Sequence, residues 1–194
     1  VSLLATCRYI ASHPVNRQRK LSALLGFVRW QLGSRILDRE VVFEWVEGTR
    51  VVVRRGETGL TGNVYCGLDE FRDMAFVLHV VRDEDLFIDV GANVGSYSIL
   101  ACGARGAHGL AFEPVPETYE RLIRNVRLND LSGRVVAMNI GVADVEGELR
   151  FTVDENCMNH VATERDDSSP TVAICVFRRH SSTDSDDIRA TVPT

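Results

Sequence analysis

The chain of 194 residues predicts an α/β fold, a doubly wound, mostly parallel sheet of the Rossmann-like kind. Three observations carry this. Leu86–Val90 is a short apolar run that passes through Gly91-Ala-Asn-Val-Gly95 into an apolar helix start at Ser96. Leu110, Ala111 and Phe112 form a second short run, closed by Glu113-Pro114 and followed by a helical pattern over Pro116–Asn129. Val135–Ile140 is a third. Strands separated by helices pair in parallel and are buried on both faces, so they read as continuous apolar runs rather than alternating ones.

The other elements follow in chain order. Residues 3–10 suggest a short helix, stopped at His13-Pro14 because a residue before proline avoids the helical region. Lys20–Leu37 predicts a longer helix. Its stripe of Leu21, Leu24, Leu25, Val28, Leu32 and Ile36 lies under a basic face and is expected to pack as a lid or brace on the following domain, with membrane-surface docking the lesser reading. Val41–Val46 and Thr49–Arg54 read as a hairpin turning at Glu47-Gly48. Residues 55–63 hold three glycines and two threonines and are expected to be a loop. From that loop Thr61, Gly62 and Asn63, with Tyr65 just beyond, are candidates to touch a ligand. Leu68–Val81 predicts a helix burying Phe71, Met74, Ala75 and Leu78. The helix after Gly95 should end at Gly103 and Gly106. Pro116–Asn129 starts with a proline suited to a first turn and should bury Tyr119, Leu122, Ile123 and Val126. Glu148–Val153 and Thr171–Phe177 are further strands, and the remainder is irregular. The division expected is 1–82 as an N-terminal extension of helices, hairpin and loop, 83–177 as the ligand-binding domain, and 178–194 as a tail.

Ligands of such sheets bind outside the carboxyl ends of the strands, which places Asp89 to Gly95 and Glu113 at the site. A dinucleotide loop reads G-x-G-x-x-G. Here position 93 is Asn, the third glycine is missing, and an acid precedes the turn. Asp89 would repel a pyrophosphate but accept hydrogen bonds from an ammonium. S-adenosylmethionine has an ammonium, a sulfonium and no phosphate. Glu113 stands where a carboxylate takes ribose hydroxyls, a feature shared with dehydrogenases. The candidate cofactor residues are Asp89, Gly91, Ala92, Asn93, Gly95, Glu113 and Pro114. Asp144, in the loop after the third strand, is expected beside the adenine.

With these residues in view, IDVGANVGSYS, FEP and RLIRNVRLN resemble the FkbM-type S-adenosylmethionine-dependent methyltransferases. The resemblance runs from about Val41 to Val153. It implies that the loop cradles the donor and that Glu113 holds its ribose. It also implies an acceptor hydroxyl on a sugar, lipid or secondary metabolite. An acceptor alcohol needs a base near the forming bond, and His160 is the candidate. A nicotinamide-dependent oxidoreductase is the rival enzyme reading, and Asn93 speaks against it.

Net charge is −5 and uneven. Residues 1–39 carry seven basic residues against Asp38, so the rest of the chain is strongly acidic. That balance argues against nucleic acid as the partner, and the small-molecule or glycan acceptor is what the resemblance implies. Five widely spaced cysteines without C-x-x-C predict reduced thiols, no metal site and a cytoplasmic location. No apolar run is long enough to span a membrane. A strand is also expected beside Leu86–Val90 on the side away from the second strand, and none is legible after Phe177. The expectation is therefore a C-terminally truncated chain or a degenerate donor-binding fragment, with an exposed strand edge open to homo-oligomers.

Overall fold

In a computed structural model the described residues are 2–37, 39–54, 58–142, 147–151 and 171–175. The elements in order are α1 (Leu3–Ser12), α2 (Lys20–Leu37), β1 (Val41–Glu44), β2 (Arg50–Val53), α3 (Thr58–Cys66) and α4 (Phe71–Val80). They continue with β3 (Leu86–Val90), α5 (Ser96–Ser98), β4 (His108–Phe112), α6 (Pro116–Leu128), β5 (Val135–Met138), β6 (Gly147–Phe151) and β7 (Thr171–Cys175). α5 widens at once into a π-helical stretch, Ile99–Ala104.

The sheet has the order β3-β4-β5, all parallel. Leu86 pairs with His108 and Val90 with Phe112, so the carboxyl ends of β3 and β4 lie side by side. β1 and β2 form the expected hairpin, turned by Glu47 and Gly48 in left-handed conformations. β6 and β7 pair with each other, antiparallel. Among the described residues nothing pairs with the outer edge of β3.

One apolar cluster joins the N-terminal elements to the sheet. It includes Val51, Val53, Leu60, Met74, Ile99, Leu100, Ala111, Leu122 and Val135. Asn125 is its polar pin. Buried on α6, it accepts from the Val52 amide (2.8 Å) and donates to the Val94 carbonyl (2.8 Å). Asn129 does the same at the outer end of β2, bonding the amide and carbonyl of Arg50 (2.7 and 2.6 Å). β2 thus completes its hydrogen bonds on α6 side chains, as buried backbone groups require.

Two expectations are corrected, those for residues 58–66 and for α2, and two are extended, those for α4 and α6. Residues 58–66 are a helix, α3, because Leu60 and Asn63 are fully buried on it and tertiary packing overrides the glycine content. α2 forms, but Leu21, Leu25, Val28, Leu32 and Ile36 of its stripe face outward. Leu24 is half-buried against Ile10, Phe27 and Cys66, and Phe27 and Ser34 are the buried residues. Phe27 stacks edge-to-face on Tyr65 of α3 at 4.9 Å. On α4 the buried pair is Met74 and Val77. On α6, Asn125 is buried beside Leu122 and Val126.

Two stability predictions follow from this packing. Asn125→Ala leaves a buried N–H and a buried C=O without partners and should cost about 2–4 kcal/mol in urea unfolding. An unchanged urea midpoint would remove Asn125 from its pinning role. Glycine substitutions in helices should differ in sign. A Cβ on Gly62 would lie 2.0 Å from the Asp69 carboxylate, itself tied to Tyr9 by a 2.6 Å hydrogen bond, so Gly62→Ala should lower Tm. Gly26 and Gly33 of α2 have no atom within 4 Å of such a Cβ, and alanine there should stabilise by roughly 0.5–1 kcal/mol each.

Candidate functional site

The site is built where β3 and β4 end. Gly91–Gly95 turns the chain into α5 through three left-handed residues, Gly91 (φ 74°), Asn93 (φ 51°) and Gly95 (φ 92°). Asn93 tolerates this because its side chain closes a local turn, with Oδ1 accepting from the Val94 amide at 2.7 Å. Gly95 is required for another reason. A Cβ there would meet Leu122 Cδ1 at 2.6 Å.

Every amide of the loop is used within the protein. Those of Gly91 and Ala92 donate to the Phe112 carbonyl, both at 2.9 Å. The amide of Asn93 donates to Glu113 Oε2 at 2.9 Å, and that of Gly95 to the Ala92 carbonyl at 2.8 Å. Glu113 Oε1 accepts from the Val115 amide at 2.9 Å. Within Gly91–Gly95 a phosphate would find no free N–H and a carboxylate beside it. The geometry opposes a pyrophosphate for the same reason the spacing does.

Asp89 lies behind the loop. Its Oδ2 accepts from the Ser98 hydroxyl at 2.6 Å. Burial raises its pKa, and the hydrogen bonds from Ser98 oppose the rise. Burial raises the pKa of Glu113 too, against the amides of Val115 and Asn93, with Asp89 adding to the rise. Two part-desolvated carboxylates at neighbouring strand ends favour a ligand that brings positive charge.

The residues fit a nucleoside with a cationic tail. Each Glu113 oxygen accepts one amide and keeps a second lone pair for a hydroxyl. Among the described residues, its chain neighbours aside, no atom lies within 4 Å of a Cβ built on Gly91, so the outer side of the loop has room. The Glu113-Pro114 turn is held by Asn139, which donates to both carbonyls (2.8 and 3.0 Å). Tyr97, next along the loop, donates to Glu70 Oε2 at 2.7 Å and links α5 to the start of α4.

The structure therefore brings together Asp89, Gly91, Ala92, Asn93, Gly95, Glu113 and Pro114. Asp144 and His160 lie outside the described residues. Of the other candidates, Asn63 is buried and accepts from the Asp69 amide, and Tyr65 accepts from Gln31 among the N-terminal helices. Ser98, Asn125 and Asn139 support the loop; Ser98 and Asn125 lie within the motifs quoted above, and Asn139 lies in none. For Ser98, one turn beyond the loop, and Asn139, one residue beyond β5, that place was a signal; Asn125 lies inside α6.

Residues 62–167, more than half of the chain, match the TRM5/TYW2 methyltransferase domain. Methyltransferase sdnD of Sordaria araneosa is 33% identical over 87 residues, 44% of this chain and 34% of that protein. Hexuronic acid methyltransferase AglP of Haloferax volcanii is 30% identical over 91 residues, 45% of this chain and 36% of that protein. The chain thus spans about a third of the length of these relatives. A complex of aTrm5 with tRNALeu is similar in fold, at 22% identity and a TM-score of 0.41, over 52% of this chain and 27% of that one. The exclusion of nucleic acid, drawn from charge, is overturned by the match to the TRM5/TYW2 methyltransferase domain. Net charge sums over the whole chain and is blind to a local basic surface such as residues 1–39. The parallel sheet, the turn at the end of its first strand and a match over residues 62–167 agree: this chain belongs to the TRM5/TYW2 methyltransferase domain family.

Proposed function

We propose that the chain binds S-adenosylmethionine at the Gly91–Gly95 loop and serves methyl transfer to a hydroxyl of a sugar, lipid or secondary metabolite. The observation that carries this is Glu113, a carboxylate fixed by two amides beside a loop with none left for phosphate. Glu113 takes the ribose hydroxyls. Asp89 faces the positive end of the donor, and Gly91, Ala92, Asn93, Gly95 and Pro114 shape the bed. Bound S-adenosylmethionine supplies an electrophilic methyl group. The residues of this chain hold it in line and exclude water. The acceptor class is supported by the 30% identity to a hexuronic acid methyltransferase and by the FkbM-type motifs. A tRNA acceptor is the second reading, favoured by the TRM5/TYW2 domain match. Methyl transfer from labelled donor to a hexuronate glycan, with tRNA in parallel, separates the two.

The donor reading is tested by calorimetric titration with S-adenosylhomocysteine and, in parallel, NAD. Binding of the first alone is expected, and binding of NAD in its place would reject the reading. Glu113→Ala should weaken S-adenosylhomocysteine by roughly 1–3 kcal/mol. Unaltered affinity would take Glu113 off the ribose.

Asp89→Asn should separate binding from stability. A carboxylate whose pKa is higher folded than unfolded binds more protons in the native state. Its stabilising share is complete below the unfolded value and is lost as pH rises through the folded one. Asp89 is such a group. At pH 7 the Asn variant should gain roughly 2–4 °C in Tm per kcal/mol recovered, while losing donor affinity. A variant that melts lower at pH 7 and binds normally would reverse the assignment.

A further inference from the structure

The outward stripe of α2 has no role in the site described above. Leu21, Leu25, Val28, Leu32 and Ile36 recur every three or four residues and are 79%, 64%, 47%, 57% and 81% exposed. The opposite face is anchored, with Phe27 and Ser34 buried and Gln31 bonded to Tyr65. The stripe is therefore displayed by a helix that cannot roll to hide it. At ~1.5 Å per residue it runs on the order of 20 Å. Such a continuous apolar band on a protein surface marks an interaction site.

Charge selects the occupant. α2 contains Lys20, Arg29 and Arg35 and no acid, and Arg17 and Arg19 precede it. None of these five forms an ion pair among the described residues. A second copy of α2 laid against the first would bring basic flanks together with no carboxylate on either helix to pair them. RNA would meet the cations, but the stripe has no aromatic ring on which a base could stack. An anionic lipid surface satisfies both halves, with aliphatic side chains in the acyl boundary and cations among the headgroups. Among the described residues no helix is long and apolar enough to cross a membrane, so the fit is in-plane.

We propose that α2 docks this chain on a membrane surface bearing anionic lipid. The proposal is independent of the donor site.

The test is co-sedimentation of the whole chain with vesicles of phosphatidylcholine containing about 30 mol% phosphatidylserine, against pure phosphatidylcholine. Binding to the anionic vesicles is expected, at least about tenfold tighter than to the neutral ones, and weaker when salt rises from about 0.1 to 0.5 M. Leu25→Gln with Leu32→Gln, and separately Arg29→Glu with Arg35→Glu, should each reduce it about tenfold or more, with unchanged circular dichroism. All four positions are exposed, so the fold should tolerate them. Absence of binding to the anionic vesicles would overturn the proposal, as would equal binding to both vesicle types. So would a dimer, or a tRNA complex, that the leucine substitutions abolish while vesicles go unbound.

Discussion

The Glu113 carboxylate is the constraint on which the site depends. It ends β4, accepts the Asn93 amide from the neighbouring loop, and accepts the Val115 amide at the entrance to α6. One side chain thereby sets the spacing between two strand ends and the start of a helix. Charge-assisted bonds of this kind are about twice as strong as neutral ones, which offsets the desolvation that raises its pKa. The loop is held before any ligand arrives, so little ordering remains to oppose binding.

That arrangement is itself braced from behind. Asn125 reaches from α6 to the Val94 carbonyl on one side and the Val52 amide on the other. The N-terminal hairpin is therefore tied to the same helix that packs under the loop, and a disturbance at β2 reaches Val94 through one side chain. Asn139 holds the backbone of Glu113 and Pro114 from the β5 side. Two side-chain amides, Asn125 in the interior and Asn139 half-buried, each bonded to backbone, hold the loop and the Glu113-Pro114 turn in one geometry.

The parallel core and its loop were legible because each signal there is local. A strand of five residues, a turn needing left-handed conformations and a helix start occur in unbroken sequence from Leu86 to Ala101. Other features depend on contacts distant in sequence. The stripe on α2 is visible as a period, but a period does not say which face meets the protein. Phe27 on the far side wins because Tyr65, 38 residues on, offers it a ring. α3 reads as a loop by composition although Gly62 is there for close approach to Asp69, which sequence spacing does not reveal. Asn125 escapes any search for apolar faces, since its burial is justified by the orphan backbone groups of β2 and the loop.

The sheet itself has two unlike faces. Phe87, Gly109, Ala111 and Val135 are turned toward the helices, while Leu86, Ile88, Val90 and Val136 are half-exposed or more. Parallel strands are ordinarily covered on both sides, and the described residues cover one. The donor loop does not draw on the open face. Its hydrogen bonds come from β4, α5, α6 and the residue after β5, and all of these lie between Asp89 and Asn139. Whatever lies over Leu86, Ile88 and Val90 would bear on the stability of the sheet and on what reaches the methyl group. The placement of Glu113 against the loop is decided within those fifty or so residues, by bonds internal to them.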